Sequence, residues 1–100
     1  MHGILDTKCE VISLNSFQKD LKKAVKQGKD INKLIYVIKQ LANKENLDYK
    51  FRNHKLTNSR IYKDCFECHI EPDWLLIYKY CDDTLILLLV STGSHSELFK

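Results

Sequence analysis

The fold is decided by the stretch Cys65-Phe66-Glu67-Cys68-His69-Ile70-Glu71-Pro72-Asp73-Trp74-Leu75-Leu76-Ile77-Tyr78-Lys79-Tyr80. It predicts two strands, at 64–70 and 74–80, because proline and aspartate in Glu71-Pro72-Asp73 favour a turn between them. A third apolar segment, at 84–90, follows a second turn at Cys81-Asp82-Asp83. These three segments predict an antiparallel meander.

The residues before the meander predict one strand and two helices. A β-like stretch at 8–14 precedes Asn15-Ser16, a pair typical of a helix N-cap. Helical spacing in the first helix connects Phe17, Leu21, Ala24, Val25 and Gly28, with lysines on the opposite face. The second helix is expected after Asp30, to about Lys44, on the stripe Ile31, Leu34, Ile35, Ile38, Leu41 and Ala42.

The order β-α-α-β-β-β predicts an α+β fold. Both helices should pack on one face of a twisted, mainly antiparallel sheet, and the other face should remain partly open, because so small a domain has nothing further to cover it. A chain of 100 residues with three glycines and one proline predicts a single domain over 1–100, without linkers or repeats.

Charge and cysteine content suggest a cellular context. Residues 1–50 carry ten Lys/Arg against six Asp/Glu, whereas 51–100 carry six against seven, so the first half is the candidate surface for a polyanion. Residues 1–10 lack the apolar core of a signal peptide, and the longest apolar run, 85–90, is too short to cross a bilayer. We therefore expect a cytoplasmic protein without membrane association, and free thiols at Cys9, Cys65, Cys68 and Cys81.

Strand alternation predicts an acid–base cluster. Along the first strand of the meander, Cys65, Glu67 and His69 point to one side, and Phe66, Cys68 and Ile70 point to the other. The apolar set belongs to the core, so Glu67 and His69 should face the open side, with Asp73 at the adjoining turn. His54, in the irregular connection at 46–63, and His95, after the last strand, also lie outside the apolar stripes. Imidazoles suit proton transfer near neutral pH.

The same residues also match the patterns of two metal-binding sites. Cys65-Phe66-Glu67-Cys68-His69 matches the C-x-x-C-H pattern of c-type haem attachment, and the two thiols with His54 or His69 suggest zinc. Haem attachment is disfavoured because no export signal and no axial methionine are evident, and zinc because only one C-x-x-C half is present. The strand pattern also sends the two cysteines to opposite faces.

Four sequence blocks together carry a resemblance to a known family: 16–23 (SFQKDLKK), 53–56 (NHKL), 67–78 (ECHIEPDWLLIY) and 93–99 (GSHSELF). They resemble the YafQ branch of the RelE/ParE toxin superfamily over about 9–99, and residues 1–8 look like a variable N-terminal extension. The resemblance implies a RelE-like microbial RNase fold and an endoribonuclease that cuts mRNA on the ribosome by 2′-hydroxyl attack on the adjacent phosphate, without metal or cofactor. The implied site comprises His54, Glu67, His69, Asp73, His95 and Phe99.

The resemblance also implies partners: a cognate antitoxin in a heterotetramer, mRNA on the ribosome, and operator DNA bound through the antitoxin. One departure is Ser91, where many relatives place an arginine that would hold phosphate. Four cations of the connection are expected to bind RNA in its stead: Arg52, Lys55, Arg60 and Lys63. If none reaches the phosphate, the alternative is a catalytically weak or inactive toxin-fold module that binds RNA or antitoxin.

Overall fold

A computed structural model of the chain describes residues 7–99. Its helices and strands are, in chain order, β1 (Glu10–Ser13), α1 (Asn15–Lys26), α2 (Ile31–Ala42), β2 (His54–Lys55), β3 (Phe66–Glu71), β4 (Trp74–Cys81), β5 (Ile86–Gly93) and α3 (His95–Leu98). A single 3-10 turn at Tyr49–Phe51 precedes β2. The predicted order of one strand, two helices and a meander is confirmed, and β2 and α3 were not predicted.

The sheet has five strands in the order β1-β5-β4-β3-β2. Strands β3, β4 and β5 pair antiparallel as a meander, and β2 adds antiparallel to β3. Strand β1 pairs parallel with β5, because the two intervening helices allow the chain to return in the same direction. The sheet is therefore mainly antiparallel, as predicted.

The main core lies between the helices and one face of the sheet. Its fully buried members include Val37 of α2 and Trp74, Leu76 and Tyr78 of β4. Burying apolar side chains of this size contributes about 1.5–3 kcal/mol each. Cys68 and Ile70 of β3 belong to this cluster, so the predicted core face of β3 is confirmed.

Three details of the helices were predicted wrongly. Helix α1 is N-capped at Leu14 without a side-chain hydrogen bond, and the Ser16 hydroxyl instead donates to the Val90 carbonyl at 2.6 Å. Val25 and Ile35 are 56% and 43% exposed, because each lies about 100° beyond the stripe that packs on the sheet.

The turn between the helices was predicted correctly: Gly28 has φ +77°, and Asp30 caps α2 by accepting from the Asn32 N–H.

A second apolar cluster covers part of the sheet face that was predicted to be open. It comprises Tyr62, Cys65, Leu75, Ile77 and Leu98. Its members come from the 56–65 connection, from β4 and from α3, which are far apart in sequence. Cys65 therefore lies on the opposite face from Cys68, as alternation predicted.

The remaining sequence-based expectations concern termini and thiols. All four cysteines are free, as predicted. Within residues 7–99, no helix is long and apolar enough to span a membrane. The expected variable extension at 1–8 lies almost entirely outside the described residues.

Candidate active site

Strand β3 positions the first two site residues. In the register with β4, Glu67 lies opposite Ile77 and His69 opposite Leu75. Directly opposed residues project on the same side of a sheet, so Glu67 and His69 share the face of the second cluster. Their common face, predicted from alternation alone, is confirmed.

The Glu67 carboxylate lies between two imidazoles. Its Oε2 is 3.2 Å from Nε2 of His69 and 3.5 Å from Nε2 of His54. The Glu67 side chain is 7% exposed, that of His69 12% and that of His54 51%. One buried carboxylate therefore orients two imidazoles, of which one is mostly buried and the other exposed.

The second nitrogen of His69 also faces an acceptor. Nδ1 lies 3.3 Å from the Pro72 carbonyl oxygen. The pairing of β3 with β4 has a register irregularity between His69 and Glu71. Both ring nitrogens of His69 can therefore donate when the ring is protonated.

His95 is held by Asp73 across the β3–β4 turn. Asp73 Oδ1 accepts from the His95 backbone N–H at 2.9 Å and lies 3.0 Å from His95 Nδ1. Nδ1 faces a carboxylate and the His95 side chain is 54% exposed, an arrangement that orients a histidine for proton transfer through Nε2. The hydrogen bonds from the His95 backbone and side chain lower the pKa of the Asp73 carboxyl.

Helix α3, which carries His95, is only four residues long, too short to be stable alone. A capping box holds it: the Ser94 hydroxyl accepts from the Glu97 N–H, and Glu97 Oε1 accepts from the Ser94 N–H at 2.9 Å. Glu97 also forms an ion pair of 2.6 Å with Lys23 of α1. Lys23 and the Ser94 N–H lower the pKa of Glu97 to about 2.

Phe99 follows α3 and lies beside His95, with ring centroids 6.2 Å apart. The Tyr62 ring meets Phe99 edge-on at 5.4 Å, and its hydroxyl donates to the Leu98 carbonyl at 3.1 Å. Phe99 is 37% exposed, so part of its ring can contact a ligand. Tyr62 supports that ring and was missed by sequence reasoning.

His54 belongs to β2, opposite Glu67, and its position depends on the two residues before it. Its Nδ1 lies 2.8 Å from the Arg52 carbonyl oxygen, and Arg52 has φ +49°, a left-handed conformation uncommon for arginine. Asn53 accepts a hydrogen bond of 2.6 Å from the buried Tyr78 hydroxyl. The connection around His54 is thus tied to the core, which no local sequence pattern indicated.

The structure places the predicted histidines and carboxylates in one cluster. Ring centroids are 6.5 Å apart for His54 and His69, and 5.7 Å apart for His69 and His95. The four cations expected to bind RNA, Arg52, Lys55, Arg60 and Lys63, are all exposed. Of these, Arg52 lines the same groove as His69. The roles assigned to all these residues stay predictions.

Ser91 of β5 lies opposite Ile77 of β4, on the sheet face that carries Glu67 and His69 (the site face), and is 6% exposed. Burial raises the pKa of Tyr62, and a hydrogen bond to Ser91 offsets part of this shift. An arginine at position 91 would therefore project on the site face, and the serine supplies no charge there.

Three groups of the cluster form a potential metal-donor set. One ligand atom each from Glu67, His69 and His95 lies within 4.8 Å of the others. Two imidazoles and one carboxylate match the ligand preferences of Zn²⁺ and Cu²⁺.

Comparison with known proteins agrees with this geometry. Residues 10–100 match the family described as the YafQ bacterial toxin of type II toxin-antitoxin systems. The chain belongs to the YafQ toxin family. An mRNA interferase toxin YafQ from Escherichia coli (strain B / BL21-DE3) is 42% identical over 84 residues, which are 83% of this chain and 87% of that protein. The family predicted from the sequence blocks is therefore confirmed.

Solved structures of YafQ-like toxins share the fold. A metal-bound toxin from Helicobacter pylori has a TM-score of 0.84 and 41% identity, covering 91% of this chain and 99% of that chain. The E. coli DinJ-YafQ toxin-antitoxin complex has a TM-score of 0.81 and 36% identity, covering 93% and 99%. The predicted RelE-like fold class is confirmed by these similarities.

Proposed function

We propose that this YafQ-family protein is an mRNA interferase, an endoribonuclease that cuts mRNA on the ribosome and so inhibits translation. The observation that carries the proposal is the convergence of His54, His69 and His95 on the carboxylates of Glu67 and Asp73. The relatives named mRNA interferase toxin YafQ support it.

The proposed reaction is an internal phosphoryl transfer. A ribose 2′-oxygen forms a bond to the adjacent phosphorus, and the bond from phosphorus to the 5′-oxygen breaks. One group removes the 2′-hydroxyl proton, and a second donates a proton to the leaving 5′-oxygen. The products are a 2′,3′-cyclic phosphate and a 5′-hydroxyl end. Imidazole side chains suffice for both proton transfers, so the mechanism needs no metal.

The proposed roles follow from exposure and orientation. His95, presented by Asp73, and His69, presented by Glu67 and Pro72, are the proton-transfer pair. His54 contacts the phosphate or assists the group that removes the 2′-hydroxyl proton. Phe99 stacks on a nucleobase of the message. Arg52 supplies the charge that Ser91 lacks, because it lines the groove that His69 shares, and Lys55, Arg60 and Lys63 contact the RNA backbone.

We further propose that a cognate antitoxin inhibits the protein in a heterotetramer that binds operator DNA through the antitoxin, and that the protein acts in the cytoplasm. The similar DinJ-YafQ complex supports the partner class. The exposed lysines of α1, Lys19, Lys22 and Lys26, give an acidic partner segment a complementary surface. Light scattering of the co-expressed pair tests the stoichiometry.

A second candidate function is binding without cleavage, as a catalytically weak toxin-fold module. The buried, uncharged Ser91 favours it, because phosphoryl transfer needs cations to offset developing charge.

One experiment separates the two functions. Ribosomes carrying a defined message are incubated with the protein, and the new 5′ ends of the downstream fragments are mapped by primer extension. We expect a defined cut with wild type and a rate lower by about 10²-fold or more for His69→Ala and for His95→Ala. Messages with sulfur in place of the leaving 5′-oxygen need no acid, so they restore the rate of the variant that lacks the acid. Binding without any cut would contradict the nuclease proposal.

A further inference from the structure

A groove beside the imidazole cluster includes Arg52 and His69, but its other residues have no role in the reaction described above. The α2–β3 groove, as we call it, has a volume of about 740 Å³ and lies between α2, the 3-10 turn and β3. Its lining includes Lys33, Tyr36, Phe51, Arg52, His69 and Glu71. This volume is in the range of sites that enclose small organic groups.

The groove has an aromatic wall. Tyr36 is 53% exposed, whereas Phe51, with a ring centroid 6.2 Å from that of Tyr36, is 8% exposed. The buried Phe51 ring thus lies against the exposed Tyr36 ring. The Gln40 side-chain amide donates to the Tyr36 hydroxyl at 3.4 Å. An exposed but supported ring is a surface on which a nucleobase can stack.

The charges around the groove balance. The cations Lys33, Lys50 and Arg52 accompany the carboxylates Asp30, Asp48 and Glu71. Lys33 is paired with Glu71 at 2.9 Å, and the two aspartates accept backbone N–H groups as caps. With no net charge, the groove as a whole does not concentrate phosphate beyond the one that Arg52 contacts, so it suits an uncharged base with polar edges.

The groove adjoins the site through His69, which contributes to both. Phe99 adjoins the other imidazole of the pair, His95. An RNA strand with its reacting phosphate at His69 and His95 thus meets an aromatic surface at each end of the pair.

We propose that the α2–β3 groove binds the base of a nucleotide flanking the cleaved phosphate, with Tyr36 as its stacking surface. This inference rests on the proposed nuclease function and adds a specificity-determining subsite to it. The carboxylates and amides at the rim, such as Asp48 and Asn32, can accept from and donate to the edge of that base.

The test measures binding separately from cleavage. Ribosomes carry a message whose attacking nucleotide is 2′-deoxy, which removes the nucleophile, and the Kd of the protein is measured. A set of such messages places one abasic nucleotide at each position flanking the cut. Tyr36→Ala removes the ring, Tyr36→Phe keeps it, and Ile35→Ala changes an exposed apolar neighbour on α2 that does not line the groove.

Besides the position whose base stacks on Phe99, we expect one flanking position at which the abasic message raises the wild-type Kd by about tenfold. Tyr36→Ala should raise the Kd for the intact message by the same factor. Its Kd should rise no further when the message is abasic at that position. Tyr36→Phe and Ile35→Ala should bind like wild type. Equal affinity of Tyr36→Ala and wild type, or penalties that multiply at every position, would overturn the subsite.

The two proposals fail separately. If the abasic message raises the Kd of wild type but wild type leaves an unmodified message uncut, the nuclease function is contradicted and the base-binding role of the groove is supported. If wild type cuts the message, and Tyr36→Ala has the same rate and the same Kd, the nuclease function is supported and the base-binding role of the groove is overturned.

Discussion

Asp73 accepts two hydrogen bonds from His95, one from the backbone N–H at 2.9 Å and one from Nδ1 at 3.0 Å. The carboxylate therefore orients the imidazole and also fixes the start of the helix that carries it. These hydrogen bonds hold the pKa of Asp73 below its usual range, so the group stays ionised wherever His95 is expected to work.

Replacing Asp73 by asparagine tests this orientation. We expect Asp73→Asn to lower the single-turnover cleavage rate by about tenfold to 10²-fold, because an amide can turn an N–H toward Nδ1 and select the wrong tautomer. The Asp73 side chain is 68% exposed, so water moderates the effect. Asp83→Asn, in the turn at the opposite end of β4, is the matched control and should cleave like wild type. Equal rates for both variants would contradict the role.

Glu67 is the buried carboxylate that two imidazoles share. We expect Glu67→Gln to lower the cleavage rate by about tenfold or more, because a neutral amide cannot stabilise a protonated imidazole. The amide has nearly the same shape, so the thermal midpoint should move by only a few degrees. Single-turnover kinetics and calorimetry measure the two effects, with exposed Glu45→Gln as control. A wild-type rate for Glu67→Gln would refute the shared-carboxylate role.

The parts of this site that could be predicted are those with local signals. Alternation along β3 placed Glu67 and His69 together because side chains in a strand alternate by geometry, and the turn composition placed Asp73 at the end of the same strand. Strand β2 is two residues long, too short to show a period. Helix α3 does have a local signal, since Ser94-x-x-Glu97 is the capping-box pattern.

The contacts that hold the site rigid could not be predicted. Tyr62 supports Phe99 and Tyr78 holds Asn53, and in both cases the partners are separated by more than twenty residues. Val25 was placed in the core because its spacing fits a helical stripe, but the sheet covers only the narrower face of α1. Such outcomes depend on three-dimensional packing, which a periodic pattern does not encode.

Tyr78 gives a test of whether the core positions His54. Its hydroxyl donates to Asn53, the residue before His54, at 2.6 Å, and burial raises its pKa, so it remains a donor near neutral pH. We expect Tyr78→Phe to cost about 1 kcal/mol of stability and to lower the cleavage rate severalfold, with a smaller effect when His54 is already alanine.

Tyr80→Phe is the matched control for that variant. The Tyr80 hydroxyl donates to the Leu41 carbonyl at the end of α2 at 2.7 Å, so its loss should cost similar stability without changing cleavage. Denaturant unfolding and single-turnover rates separate the effects. Equal loss of activity in the two variants would mean that general destabilisation, and not placement of His54, is responsible.

The lowered pKa of Glu97 determines how the stability of α3 should depend on pH. Lys23 and the Ser94 N–H lower its pKa from 4.5 to about 2 in the folded protein. The stabilisation is therefore complete above about pH 4.5 and is lost as pH falls toward 2. The Glu97 side chain is 29% exposed, so we expect about 1 kcal/mol at most.

Glu97→Gln isolates the charge, because glutamine can also complete a capping box. We expect it to lower the melting temperature by a few degrees at pH 7, and the difference from wild type should vanish near pH 2. Lys23→Gln should have a similar effect at pH 7. A difference that grows as the pH falls would show that the sign of this linkage is wrong.

The donor set of Glu67, His69 and His95 predicts how metal ions affect cleavage. A Zn²⁺ or Cu²⁺ ion held by these groups would occupy imidazole nitrogens that the proposed proton transfers require. We therefore expect Zn²⁺ to inhibit cleavage at concentrations where Mg²⁺, which prefers oxygen ligands, has no effect. EDTA equimolar with the added Zn²⁺, which it binds in preference to the Mg²⁺ that ribosomes need, should reverse the inhibition. Enzyme that is treated with EDTA and freed of it before it meets the ribosomes should cleave at an unchanged rate. Calorimetry should show weaker Zn²⁺ binding by His95→Ala.

Loss of activity with EDTA, restored by Zn²⁺, would instead make the metal part of the reaction, because a residue-only mechanism keeps its rate when metals are removed.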